Sequence, residues 1–151
     1  MKKLFLISFL LLCQAGWSQN SEKENIQGLI ESFFEAFHEQ DSTNLKNFAH
    51  SEIKMQSVAI DTEGNTKLST TEYTSFLKSI ASIPHSTKFE EKLHDFKINT
   101  NGMIANVSTP YSFYINGELS HCGVNTFQLM KSDGEWKIIY LVDTRSKLGC
   151  K

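Results

Sequence analysis

Asp143 and Arg145 stand two residues apart near the end of a 151-residue chain, in a run that alternates as a strand does, so both side chains point to one face. A guanidinium there could anchor an anionic or carbonyl-bearing ligand, with the neighbouring carboxylate as acceptor or base. The pair could equally be an ion pair or backbone-bound carboxylate at the end of a sheet. His94 could act as a general base, since imidazole titrates near neutrality, or stand as a half-exposed polar residue. Tyr111 could bond a ligand oxygen, or pack in the core with its hydroxyl at the rim. Glu35-x-x-His38 has the spacing of a helical metal pair, but a metal-binding bundle needs several such helices. Only one exists here, and no Cys–His cluster accompanies it, so no metal is expected. No phosphate-cradling glycine loop occurs and no serine or cysteine has a base beside it in sequence. No cofactor is expected either.

Three dipeptides fix the scaffold that must carry these residues: Asn101-Gly102, Asn116-Gly117 and Asp133-Gly134. Asn-Gly and Asp-Gly between apolar runs signal tight hairpins, because both turn residues need positive φ. They predict an antiparallel meander of four strands, roughly 89–99, 103–115, 118–131 and 135–145. Counting outward from two-residue turns, Lys92 meets Tyr111, His94 meets Thr109, Tyr111 meets Cys122, and Cys122 meets Arg145. One face then has an apolar end (Phe96, Ile98, Ala105, Val107, Thr126, Met130, Ile139, Leu141). Its polar end holds Lys92, His94, Tyr111, Asp143 and Arg145, an arrangement typical of small-molecule sites. The count assumes no β-bulge, which would turn the outer residues over. The opposite face, with Phe127, Leu129, Trp136, Ile138, Tyr140 and Val142, is too apolar to leave in water. Either helices cover it, with the polar-ended face then turned outward, or it is the interface of a homodimer paired through the outer sheet face.

Helices precede the sheet. Ser21 to Glu24 read as a capping box. Ile26, Leu29, Ile30, Phe33 and Phe37 then form one helical stripe, widened by Phe34. Asp41 can cap a short helix holding Leu45 and Phe48. Residues 52–60 alternate as a strand, and Glu63-Gly64-Asn65 turns after it. Ser69 to Glu72 read as a second capping box before the stripe Tyr73, Phe76, Leu77 and Ile80, which Pro84 stops. Phe34 and Phe37 are expected to close the polar cavity, and Phe33 to be buried against the apolar end.

The first eighteen residues read as a cleaved secretory signal: Lys2 and Lys3, the apolar run Leu4 to Cys13, and small residues near Ser18. This run is too short to span a bilayer, so residues 19–151 would form one domain, periplasmic or secreted, with no membrane association. Thirteen basic and seventeen acidic residues would remain, a charge of −4. The basic residues are scattered, so nucleic acid is not an expected partner. Cleavage would leave two cysteines, Cys122 and Cys150, which in an exported domain permit a disulfide.

Leu29-Ile30-Glu31-Ser32-Phe33-Phe34-Glu35-Ala36-Phe37, Trp136-Lys137-Ile138-Ile139 and Asp143-Thr144-Arg145, in the order helix, short helix, strand, helix, meander, resemble the nuclear transport factor 2-like superfamily. That is the α+β cone fold shared with ketosteroid isomerase and the polyketide cyclases. The nearer resemblance is to small exported bacterial proteins labelled lumazine-binding-like. The resemblance implies that ligands sit inside the cone and that copies pair through the outer sheet face. The carboxylates of the isomerase have no match here, so its activity is not implied. Three functions follow: a binding domain for a small, partly apolar organic ligand; an isomerase, dehydratase or cyclase using Asp143 or His94 as base; and a structural or partner-binding module whose cone is filled.

Overall fold

The computed structural model describes residues 21–150; the expected signal segment lies outside them. Helix α1 covers 21–38 of the described residues, and Ser21, the expected N-cap, is itself helical. Its stripe is the core: Ile26, Ile30 and Phe33 are buried, as are Phe34 and Ala36. Helix α2 (Ser42–Phe48) is capped as expected, the Asp41 carboxylate accepting from the Asn44 N–H at 2.9 Å. Strand β1 (Ala49–Ile60) turns through Gly64 into β2 (Thr66–Thr71), and α3 (Tyr73–Ser82) follows.

The second expected capping box is not one. Ser69 to Thr71 pair with β1, and α3 begins after Glu72 with no side-chain cap. Three β-branched threonines and a good turn favour the hairpin over a cap.

The meander consists of β3 (Phe89–Leu93), β4 (Lys97–Thr100), β5 (Ile104–Ile115), β6 (Glu118–Ser132) and β7 (Glu135–Arg145). The sheet order is β2-β1-β7-β6-β5-β3, with β4 also on β5. β1 runs parallel to β7 and every other pairing is antiparallel. This is an α+β fold, with helices on one face of a curved mixed sheet.

Two hairpins turn where the sequence places them, with positive φ at Asn116-Gly117 and Asp133-Gly134. The third differs. The Asn101 side chain accepts from the N–H groups of Met103 and Ile104, lengthening the loop so that Thr100 faces Ala105. The expected strand 89–99 is broken at His94-Asp95-Phe96 into β3 and β4. Bulges also shift β5 against β6 between Phe113 and Tyr114, and β6 against β7 between Gln128 and Leu129.

Each one-residue shift turns a strand segment over. The inner face of β6 is therefore Asn125, Phe127 and Leu129, and early β7 contributes Trp136 and Ile138; all five are buried. Thr126, Met130 and Ile139, expected inside, are not among the core residues. Phe127, Leu129, Trp136 and Ile138 are covered by the helices, the first of the two alternatives for that face, and their side chains fill the cone.

Candidate functional site

Between α1 and the sheet lies a partly open cavity of about 80 Å³, lined by Phe33, Phe34, Phe37, Met55, Gln56, Phe76, Glu91, Asn125, Leu141, Asp143 and Arg145. The aromatic residues come from α1 and α3, and the polar ones from β1, β3, β6 and β7. Phe34 packs edge-on against Phe33, Phe37 and Phe127. Phe37 stacks on Phe76. These contacts narrow the cone and leave a polar mouth.

Arg145 and Asp143 sit where the sequence suggests. Arg145 Nε donates to Asp143 Oδ2 at 2.8 Å; the arginine side chain is half exposed and the aspartate largely buried. An ion pair this open contributes on the order of 0–1 kcal/mol. Burial alone would lower the guanidinium's pKa, but the bond to Asp143 and its charge raise it. Tyr111 is buried, and its hydroxyl donates to the Thr144 carbonyl at 2.9 Å, with Asp143 Oδ2 further off at 3.3 Å. It holds the end of β7 from behind and does not line the cavity. Burial, then the charges of Asp143 and Glu91, push its phenol well above the usual range.

Gly123 makes this approach possible. A Cβ there would lie 1.8 Å from the Thr144 carbonyl oxygen and 2.9 Å from the Tyr111 ring.

His94 and Lys92 do not join the cavity. His94 is exposed at the break between β3 and β4, with Nε2 2.9 Å from Ser112 Oγ. It lines a separate surface groove with Gln27, Glu31, Glu35, His38, Leu93 and Phe96. Lys92 is exposed, 3.7 Å from Glu90 and over the Tyr114 ring. The register shift turned β3 over, so its odd-numbered residues face inward. Leu93, not Lys92, pairs with Tyr111.

That shift delivers Glu91 to the cavity. Its Oε1 accepts from the Asn125 amide, which is itself buried. Burial pushes the carboxyl up to about 7, helped by Asp143 and opposed by Asn125 and Arg145. The Glu91 N–H donates to His38 Nε2 at 2.8 Å. That nitrogen therefore carries no proton, and burial lowers the His38 pKa against the fields of Glu90 and Glu35. Glu91 and Phe34 form the wall shared by cavity and groove. Sequence reasoning passed over Glu91, although Phe89-x-Glu91-x-Leu93 sets a carboxylate on an apolar alternation.

Cys122 and Cys150 form a disulfide with Cα atoms 5.5 Å apart. Cys122 also pairs with Ser146, one residue beyond the partner expected, as the β6–β7 bulge requires.

Among the described residues, no group of three or more His, Cys, Asp or Glu side chains could hold a metal ion, and no helix is long and apolar enough to cross a membrane.

A cone of helices on a curved sheet, with a polar-mouthed interior, is the architecture of nuclear transport factor 2-like domains. The SnoaL-like domain family matches residues 26–142, and the chain belongs to that family. Its fold is similar to that of a nuclear transport factor 2-like protein with a cystatin-like fold from Novosphingobium aromaticivorans. That match has 11% identity and a TM-score of 0.69, covering 90% of this chain and 89% of the other. It is also similar to a nuclear transport factor 2-like protein from Cytophaga hutchinsonii, at 16% identity and a TM-score of 0.65 over 82% and 98%. A protein of unknown function from Nostoc punctiforme, also with a cystatin-like fold, matches at 13% identity and 0.65 over 83% and 92%. No curated protein is significantly similar. At such identities the structural likeness concerns the fold. None of it bears on the nearer resemblance to lumazine-binding-like proteins.

Proposed function

We propose that this chain is an exported domain that binds a small, largely apolar ligand inside its cone. The observation that carries this reading is the cavity itself, with apolar walls and a few polar groups converging at one end. Its volume argues for a compact ligand: a water needs about 10–15 Å³ of such space, so the enclosed part holds roughly half a dozen non-hydrogen atoms. The aromatic packing that would fill a purely structural cone is present but incomplete. Export is supported by the Cys122–Cys150 bridge, since disulfides persist in oxidising compartments.

Glu91 supports a second reading, an enzyme that moves a proton. Asp143 is bound to Arg145, and His94 lies outside, so neither suits the base expected of them. Glu91 faces the cavity with a carboxyl near neutrality, as a general acid or base requires. No reaction is assignable from this.

Pairing of two copies through the outer sheet face belongs to the proposal as well. Ile104 and Val124 are exposed, and Tyr140 is bound to Gln56. The pairing would be more polar than the sequence suggested, and light scattering on the purified protein decides it.

Native mass spectrometry of protein from its own host tests the binding reading. A retained small molecule is expected in the wild type and absent from Leu141→Trp, whose indole would fill the cavity. Equal retention by a folded Leu141→Trp protein would place the ligand elsewhere.

A further inference from the structure

The cavity's charges do not balance. Two carboxylates, Glu91 and Asp143, border it against one guanidinium, Arg145. Arg145 is matched to Asp143 at 2.8 Å and half exposed, so water screens what remains of its charge. Glu91 has the neutral amide of Asn125 as its side-chain partner, and the ring beside its backbone, His38, accepts through an unprotonated nitrogen. No lysine lines the cavity. Lys92 on the same strand faces outward to Glu90 and Tyr114. Once ionised, Glu91 therefore leaves an uncompensated negative charge inside.

The walls favour the same sign. Phe33, Phe34, Phe37 and Phe76 line the space, and aromatic faces attract cations while repelling anions. Several of these rings pack perpendicular to one another, so faces as well as edges are offered.

We propose that the cavity selects a small organic cation, an amine or quaternary ammonium group held against the phenylalanines with Glu91 as its counter-charge. This rests on the binding reading above and names the ligand class. It reverses the expectation of an anion at Arg145, because that arginine is already neutralised. A cation draws the proton off Glu91, so its affinity rises as pH passes through about 7. Asn125 on β6 and Asp143 and Arg145 on β7 act on the Glu91 carboxyl; Tyr111 on β5 feels its charge in turn, and on α1 His38 accepts from its backbone N–H while Glu35 lines the groove on its other side.

Three probes of one shape test it by calorimetric titration: tetramethylammonium, tert-butanol and pivalate. Tetramethylammonium and tert-butanol keep one charge state from pH 5.5 to 8, and pivalate is fully anionic at pH 8. Tetramethylammonium should bind roughly tenfold more tightly than tert-butanol at pH 8. The preference should shrink at pH 5.5 and vanish in Glu91→Gln, with tert-butanol binding unchanged and melting confirming the fold. Should tert-butanol or pivalate bind as well as the cation, the cavity stands and the choice of charge is overturned. Should none of the three bind to wild-type protein, the binding reading falls too.

Discussion

The two ends of the cone rest on the same strands but solve different problems. At the apolar end, Phe33 meets Phe127 and Phe48 at ring distances of 6.2 Å, over Leu129 and Ile138, all but Phe48 fully buried. Interlocking hydrophobic side chains there need only shape and volume. At the polar end, Glu91, Asn125, Tyr111, Asp143 and Arg145 each depend on a particular partner. Displacing one strand by a residue would empty that set, whereas the apolar end already absorbs the bulge between Gln128 and Leu129. Shape-driven packing and partner-dependent polar bonding thus occupy opposite ends and should respond separately to mutation.

The strongest test truncates the apolar end. Phe33→Ala should cost about 3–5 kcal/mol in denaturant unfolding. Because Phe33 also borders the cavity, a mutant melting like the wild type would undo the division. At the other end, Cys122→Ser with Cys150→Ser opens a loop spanning 28 residues of sequence. In the chain-entropy account that costs about 3–4 kcal/mol, read as a lower unfolding midpoint under non-reducing conditions. Gly123→Ala should follow at roughly 1–3 kcal/mol, because the methyl group must push the Thr144 carbonyl or the Tyr111 ring aside. An unchanged melting temperature would show that β6 and β7 are not held that closely.

Glu91→Gln is the smallest change in structure and the only one expected to stabilise. The folded protein holds the Glu91 proton more tightly than the unfolded chain, at about 7 against an ordinary 4.5. Stability is therefore fully present below pH 4.5 and declines as pH rises toward and past 7. The glutamine variant should gain on the order of 1–2 kcal/mol at pH 8 and almost nothing at pH 4, measured as paired melting curves. A gain of equal size at both pH values would detach the effect from Glu91's proton.

Much of the apolar end was legible in the sequence. The α1 stripe, the Asp41 cap and the turns at Asn116-Gly117 and Asp133-Gly134 are local features, written in periodicity and turn chemistry. The polar end was legible in part: Asp143, Arg145, Phe34 and Phe37 reach the cavity, and the cysteine pair forms. Lys92 and His94 were misplaced, and Glu91 passed over, for one reason. A bulge leaves no fixed residue signature, and the Asn101 loop and the His94–Phe96 break moved β3 by an odd number of residues. Each strand farther from a clean turn inherits the accumulated error. The glutamate on the Phe89–Leu93 stripe was the one visible sign that the face had changed.

The Cys122–Cys150 bridge gives the polar end a history as well as a shape. It ties the segment just beyond Arg145 to β6, and it can close only after Cys150 has been made and the thiols have met an oxidant. A reduced chain already possesses everything that holds the apolar end together, so it can collapse around Phe33 and Phe127 first. The clamp behind Arg145 is added later. The protein would thus be folded before it is finished, with its mouth completed only once the two thiols are oxidised.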